Sequence, residues 1–313
     1  MSSRSEDAGP NAQGDLERSA AVAAAARRQL EKHLAEPLAP GLYLVATPIG
    51  NLGDITVRAL GVLAAADVIY CEDTRHSARL LQHYSIRNET RPLHDHNEET
   101  ETGRVLGDLS AGRRVALISD AGTPLISDPG FKLVRAAVGE GHAVFAIPGA
   151  SSVMTAMASS GLATDAFFFS GFLPAKSQAR RTRLSELKLI AGSLVLFEAP
   201  QRLGESLSDM AEILGGRPAV VARELTKLHE EIARGPLTDL ASAFVSREVK
   251  GEIVIVVGPP IAATVSDDDI AEALATALAT MTLKDAAKAV ADALGVAKSR
   301  VYDLGLKLKG KGR

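Results

Sequence analysis

Residues 115–134 read VALISDAGTPLISDPGFKLV. Val115–Ser119 is a short apolar run with the length and composition of a strand buried on both faces. It runs into Asp120-Ala121-Gly122-Thr123-Pro124, a cluster of turn residues through which a strand does not continue. Asp128-Pro129-Gly130 then opens a helix over Phe131–Glu140. Strand, Gly/Pro loop and helix make one step of an α/β fold. Such steps build a parallel or mixed sheet whose ligand loops lie at the C-terminal ends of the strands.

The same step recurs in both directions. Upstream, Leu42–Thr47 is a strand ended by Pro48 and Gly50-Asn51-Leu52-Gly53, with Asp54 capping a helix to Ala65. Asp67–Cys71 is the next strand, followed by a helix over Thr74–His83. Downstream, Val144–Ile147 leads through Pro148-Gly149 into a helix over Ser151–Ser160. A second α/β block follows. Its strands are Phe167–Phe172, Ser193–Glu198, Pro218–Arg223 and Glu252–Val257, with helices over Lys176–Ala191 and Gln201–Leu214. The ends differ from this pattern. Residues 1–15 are polar and read as a disordered tail, and Ala-rich residues 16–35 favour helix. Three helices are expected near Asp268–Ala279, Lys284–Ala293 and Lys298–Lys307, with Gly295 at the last turn. The expected division is an extension (1–40), two α/β lobes (41–165 and 166–262) and a small helical module (263–313).

The 313 residues, 46% hydrophobic and 23% charged, suffice for a large core. The lone Cys71 precludes an intrachain disulfide and suits a reducing cytoplasm. The opening residues lack the basic-then-apolar order of a secretory signal, and no apolar run approaches the ~18 residues of a membrane span. Net charge is −3, so any nucleic-acid role rests on local basic patches. Lys176, Arg180, Arg181 and Arg183 form one such patch. Residues 281–313 form another, with eight Lys/Arg, among them Lys307, Lys309 and Lys311, against three Asp, for a net +5.

Three strand-end loops combine Gly, Pro, Ser, Thr and Asp: TPIGN (47–51), SDAGTP (119–124) and PGASS (148–152). Any one is an ordinary turn; three in succession suggest a ligand site. GxGxxG is absent, which leaves a Rossmann dinucleotide or Rossmann-type methyltransferase loop unsupported, and the absence of GxxxxGK[ST] counts against a P-loop ATPase. Glu72-Asp73-Thr74-Arg75 follows a strand directly and suits either acid–base work or a helix cap. His94-Asp95-His96-Asn97-Glu98 offers metal-ligand types without a helical zinc spacing, so a loop of satisfied polar groups and no metal is expected.

Together with FLPAKSQAR, FEAPQRL, ARELTKLHEE and KGEIVIVVG, these segments resemble the ribosomal RNA small subunit methyltransferase I family, in the tetrapyrrole-methylase-like superfamily. The likeness runs from about Gly41 to Pro259 and, weakly, through the C-terminal segment. It implies a two-lobed α/β fold with S-adenosylmethionine in the cleft between lobes, a helix–turn–helix-like C-terminal module and a homodimer. The implied activity is 2′-O-methylation of a cytidine in 16S ribosomal RNA near the decoding centre, on RNA or the 30S subunit. Carried over by motif, Asp120, Ala121, Gly122, Thr123, Pro124, Ser151 and Ser152 are expected around the cofactor. Phe197, Glu198, Ala222, Arg223 and Glu252 approach from the second lobe. Glu72 is the expected proton acceptor, with Asp73 second, and Arg75, Asn51 and Arg223 are candidates to orient the substrate. Lys176, Arg180, Arg181, Lys307, Lys309 and Lys311 are the expected RNA contacts. Three alternatives stay open: a small-molecule methyltransferase of the same fold, a nucleic-acid-binding regulator without chemistry, and a metal hydrolase using His94, His96 and Glu98.

Overall fold

Apolar β-branched strands and amphipathic helices alternate along most of the chain, and the computed structural model, described over residues 12–260 and 266–310, sorts them into two sheets. The first sheet holds β1 (Gly41–Val45), β2 (Val68–Cys71), β3 (Thr90–Pro92), β4 (Arg114–Ile118) and β5 (Val144–Ile147) in the order β3-β2-β4-β1-β5. All its pairings are parallel. Helices cover both faces. α2 (Val57–Ala65) and α3 (Thr74–His83) pack Val62, Leu63 and Leu81 on one side. α4 (Glu98–Ser110) and α5 (Phe131–Gly139) pack Val105, Leu109 and Leu133 on the other.

The second sheet is mixed, in the order β6-β7-β10-β8-β9. β6 (Phe167–Phe172) runs parallel to β7 (Ser193–Glu198). β10 (Ile253–Val257), β8 (Pro218–Arg223) and β9 (Glu231–Pro236) pair antiparallel. α7 (Ser177–Leu187), α8 (Leu203–Leu214) and α9 (Leu237–Phe244) bury Leu184, Leu207 and Phe244 against it. Between the sheets lies α6 (Ser152–Ser160). Its Val153, Ala156 and Met157 join Ile49 of the first lobe to Val195, Val220, Ala222 and Val254 of the second. This apolar seam makes Met1–Pro260 one compact unit.

The extra helix α1 (Ala12–Ala35) begins before the expected Leu16, and most of the expected polar tail lies outside the described residues. α1 packs on α2 where Gly61 admits it: a Cβ there would sit 2.7 Å from the His33 Cβ. Ile261–Arg313 is a second unit. In it, α10 (Asp267–Leu278), α11 (Leu283–Leu294) and α12 (Lys298–Gly310) close on Ile270, Leu274, Ala287 and Val301. Gly295, in the left-handed region at φ +64°, ends α11.

Four elements go beyond what the sequence pattern predicts: β3, α4, β9 and α9. β3 is three residues with an exposed end in Pro92. α4 carries Gly103 and Gly107 and begins Glu-Glu-Thr-Glu, so its helix propensity is weak and its apolar stripe is confined to Val105, Leu106 and Leu109.

Candidate active site at the seam between the sheets

The strand-end loops of the first sheet are stitched to one another by backbone. Thr47 and Gly122 exchange both N–H···O bonds, at 2.8 and 3.0 Å, and the Thr123 hydroxyl donates to Ala150 O at 3.3 Å. Gly122 has φ +82°, and a Cβ there would press on Ile49 Cγ2 at 3.3 Å, so the loop needs glycine. Ser151 caps α6 by accepting from Met154 N. These loops form one wall of a cavity of about 420 Å³.

From the first lobe the cavity is lined by Ile49, Asp120, Ala121, Gly122, Thr123, Ile126, Ser127, Asp128, Ser151, Ser152 and Val153. From the second come Phe172, Phe197, Glu198, Ala199, Pro200 and Gly251 to Val254. Nine of the twelve residues expected around the cofactor therefore lie in its wall. The other three do not: Pro124 is buried behind the loop, Ala222 sits in the apolar seam, and Arg223 is bound to Glu231 at 3.0 Å and to Lys250 O at 3.2 Å. Asp128 and Phe172 were within reach of the sequence, since both fall in the motifs that carry the family likeness, but nothing local marks them. Asp128 follows Leu125 and Ser127, two non-glycine residues at positive φ, and Ser127 Oγ lies 3.2 Å from where a Cβ on Gly171 would be. The loop thus bears on the β6 bulge beside Phe172.

The wall is acidic, and no Lys or Arg is among its lining residues. Glu198 is buried, held by Arg202 at 2.6 Å and by the Ser206 hydroxyl, so it is a fixed floor. Glu252 is exposed and paired with Lys227 at 3.0 Å. Beside the cavity, burial pushes the Glu72 carboxyl up to about 7, and the charges of Asp128, Asp120, Asp95 and Asp73 add to this. Burial likewise raises Asp128 to about 6, with Asp120 and Asp95 adding and a Ser119 hydrogen bond opposing. Asp73 moves the other way. Its carboxylate accepts from Arg75 N at 2.7 Å and His76 N at 3.4 Å, which caps α3 and holds its pKa below the ordinary value. A capped, acidified carboxylate is a poor base, which removes the case for Asp73 as second choice. Asp120 Oδ1 accepts from Asp73 N at 3.1 Å and so ties the end of β2 to the cavity wall. Asn51 turns its side chain back onto Gly53 N at 3.0 Å, and Arg75 is exposed.

Two other expectations change. Arg180 is 2% exposed and bound to Asp209 at 2.6 Å, and Arg181 is bridged to Asp209 and Glu212, so Arg180 is an interior ion pair that no phosphate can reach. Of that cluster Lys176 stays exposed without a carboxylate within 4 Å among the described residues. In the C-terminal unit Lys307 is exposed, whereas the side chain of Lys309 and the whole of Lys311 lie outside the described residues. The loop expected at 94–98 ends early. Asn97 stands just before α4 but turns its side chain back, accepting from His94 N at 2.8 Å and donating to Pro92 O at 3.0 Å, and buried Glu98 accepts from Gly130 N at 3.1 Å and Lys132 N at 3.0 Å, capping α5. Among the described residues no three His, Cys, Asp or Glu side chains converge as a metal site. No helix among them is long and apolar enough to cross a membrane.

Residues 41–241 match the family described as Tetrapyrrole (Corrin/Porphyrin) Methylases, and residues 264–309 match the RsmI C-terminal HTH domain. A Mesorhizobium japonicum protein named ribosomal RNA small subunit methyltransferase I is 49% identical over 88% of this chain and 94% of its own. A Pseudomonas aeruginosa protein of the same name is 46% identical over 86% and 98%. Among solved structures, uroporphyrin-III C-methyltransferase from Thermus thermophilus complexed with S-adenosylhomocysteine superposes with a TM-score of 0.50 at 19% identity, covering 70% of this chain and 97% of that one. By identity over nearly its whole folded length, the chain belongs to the ribosomal RNA small subunit methyltransferase I family of the tetrapyrrole methylases.

Proposed function

We propose that this protein transfers a methyl group from S-adenosylmethionine to the ribose 2′-hydroxyl of a cytidine in 16S ribosomal RNA near the decoding centre. The observation that carries this reading is the match of both units to relatives bearing the name ribosomal RNA small subunit methyltransferase I. The fold alone does not choose between RNA and a porphyrinoid. The C-terminal helical unit at 264–309 favours RNA. The homodimer and the cytoplasmic setting implied by the resemblance belong to the same reading, and the exposed Phe167 and Phe168 on edge strand β6 supply an apolar surface for a second copy.

The cavity suits the cofactor. Phe172, Phe197, Ile49 and Val153 offer apolar faces for an adenine, Gly122 lets backbone approach closely, and the carboxylates favour a cationic sulfonium and ammonium. The cofactor supplies, when bound, a methyl group already activated by a positive sulfur. What remains for the protein is to orient a ribose and to remove its hydroxyl proton. Glu72 fits the proton-accepting role, since a carboxyl near pH 7 takes a proton far better than one near 4 and is still mostly ionised above neutrality. Asp120 fixes the strand end that carries it.

Methyl transfer from labelled cofactor to naked 16S RNA, to assembled small subunits and to uroporphyrinogen tests the reading. Incorporation into RNA or subunits, mapped to a single cytidine ribose, is expected. Incorporation into uroporphyrinogen alone overturns it. In the same assay Gly122→Val should abolish cofactor binding in a folded protein, because the side chain meets Ile49 and the φ of +82° is strained for valine.

A further inference from the structure

Among the described residues, the arginines of two helices differ in whether a carboxylate pairs with them. On α7, Arg180, Arg181 and Arg183 each bind an acid, Asp209, Glu212 and Glu186 among them. α3 is the opposite case. Its sequence, Thr74–His83, contains Arg75, Arg79, His76 and His83 and no acidic residue. Arg75 and Arg79 are both exposed, and among the described residues neither has a carboxylate within 4 Å or a side-chain hydrogen bond. Arg75, Arg79 and His83 recur every four residues, so they share one face, with about 6 Å of helix axis between successive positions.

The placement of this face matters as much as its charge. α3 starts directly after Glu72 and Asp73, and Asp120 ties that junction to the cavity wall at 3.1 Å. At its other end, the Tyr84 hydroxyl donates to Leu52 O at 2.7 Å, which rests the helix on the exposed turn after Asn51. Two arginines outside any ion pair, Arg75 beside the charge of Asp73 and Arg79 one turn on, thus lead with His83 away from the acidic site over the surface.

We propose that the Arg75–Arg79–His83 face of α3 is the track for the RNA phosphodiester backbone flanking the target ribose. An acidic site repels a polyanion, so the strand needs cations beside the site and outside it. An arginine already paired gains little from a phosphate, whereas an unpaired one releases a counterion when the phosphate arrives. The inference rests on the RNA reading above and adds to the C-terminal unit a surface beside the site, since Arg180 and Arg181 are already bound to carboxylates.

The test is binding of the full-length protein to a 16S RNA transcript across a KCl series, alongside methyl-transfer kinetics. Arg75→Gln/Arg79→Gln should make the slope of log affinity against log salt shallower by about 1.4, at ~0.7 per cation on a single strand. The RNA KM should rise about tenfold. Arg79→Gln alone, which lies outside the cavity, should give roughly half the change in slope. Melting temperature and cofactor affinity should match wild type, and Arg181→Gln should leave the slope unchanged. A wild-type slope and KM in both α3 variants overturns the proposal, as does an equal loss in Arg181→Gln. The binding arm judges the track independently of chemistry: a wild type that binds RNA but methylates none defeats the proposed function and leaves the slope comparison valid.

Discussion

Glu72 is where the fold and the proposed chemistry meet in a single side chain. Its carboxyl is lifted from an ordinary 4.5 to about 7 by burial and by Asp128, Asp120, Asp95 and Asp73. The folded state therefore holds a proton that the unfolded chain gives up near 4.5. Stability from this group is complete below that value and is lost as pH rises through 7. Glu72→Gln, neutral at every pH, should raise the melting temperature above pH 7 and bring no gain near pH 4. Under the base reading the same substitution should slow single-turnover transfer about 100-fold, with RNA and cofactor affinities kept. Wild-type rate should climb with pH to a plateau above 7. A few-fold loss, or a pH profile unchanged in the variant, would make Glu72 a structural residue and leave the alkoxide to a cation. Such a site is half legible in sequence. Gly122 and Asp120 announce themselves because loop chemistry is local. Asp128 does not, because its burial and its charge on Glu72 come from β2, β4 and the loop after β4 converging in space. Arg180 misleads for the same reason, its partner Asp209 standing 29 residues away.

Elements behave likewise. The strands and helices read from the sequence are those whose apolar pattern is strong, and β1, β2, β4, β7 and β10 are almost wholly buried. α4 has no such pattern, since its N-terminal turn uses a carboxylate where a core helix would place a leucine. Glu98, 6% exposed, accepts from Gly130 N and Lys132 N, the free donors at the start of α5. This bond also anchors the end of the loop that carries Ile126, Ser127 and Asp128 into the cavity. Glu98→Ala should leave the buried Gly130 N–H unpaired and cost about 1–3 kcal/mol in chemical denaturation. Cofactor affinity should fall with it, because the loop's positive-φ residues Leu125 and Ser127 persist only while the structure around them holds. Glu98→Gln keeps an acceptor oxygen and should recover most of the stability. Equal losses in both variants would mean that charge at the helix end, and not the acceptor, does the holding.

At the scale of the molecule, the proposed reading divides binding of cofactor and capture of RNA between separable surfaces. Every residue lining the cavity lies between Ile49 and Val254, inside the first compact unit. The C-terminal unit has its own core of Ile270, Leu274, Ala287 and Val301, and its net charge over 281–313 is +5 while the whole chain carries −3. A polyanion is therefore drawn to that unit, as to the α3 face, in a chain whose net charge is negative. Replacing Lys307, Lys309 and Lys311 together by Gln should weaken RNA or subunit binding and reduce the salt slope by about 2, at ~0.7 per phosphate contact on a single strand. Cofactor affinity should not change, and transfer at saturating RNA should stay near wild type, since every residue lining the cavity belongs to the first unit. Combining this variant with Arg75→Gln/Arg79→Gln should give additive losses in slope if the two surfaces hold different stretches of the strand. An RNA affinity and slope untouched by the triple substitution would assign the C-terminal unit to packing or to contact between copies of the chain, and α3 would then carry the phosphate contacts without it.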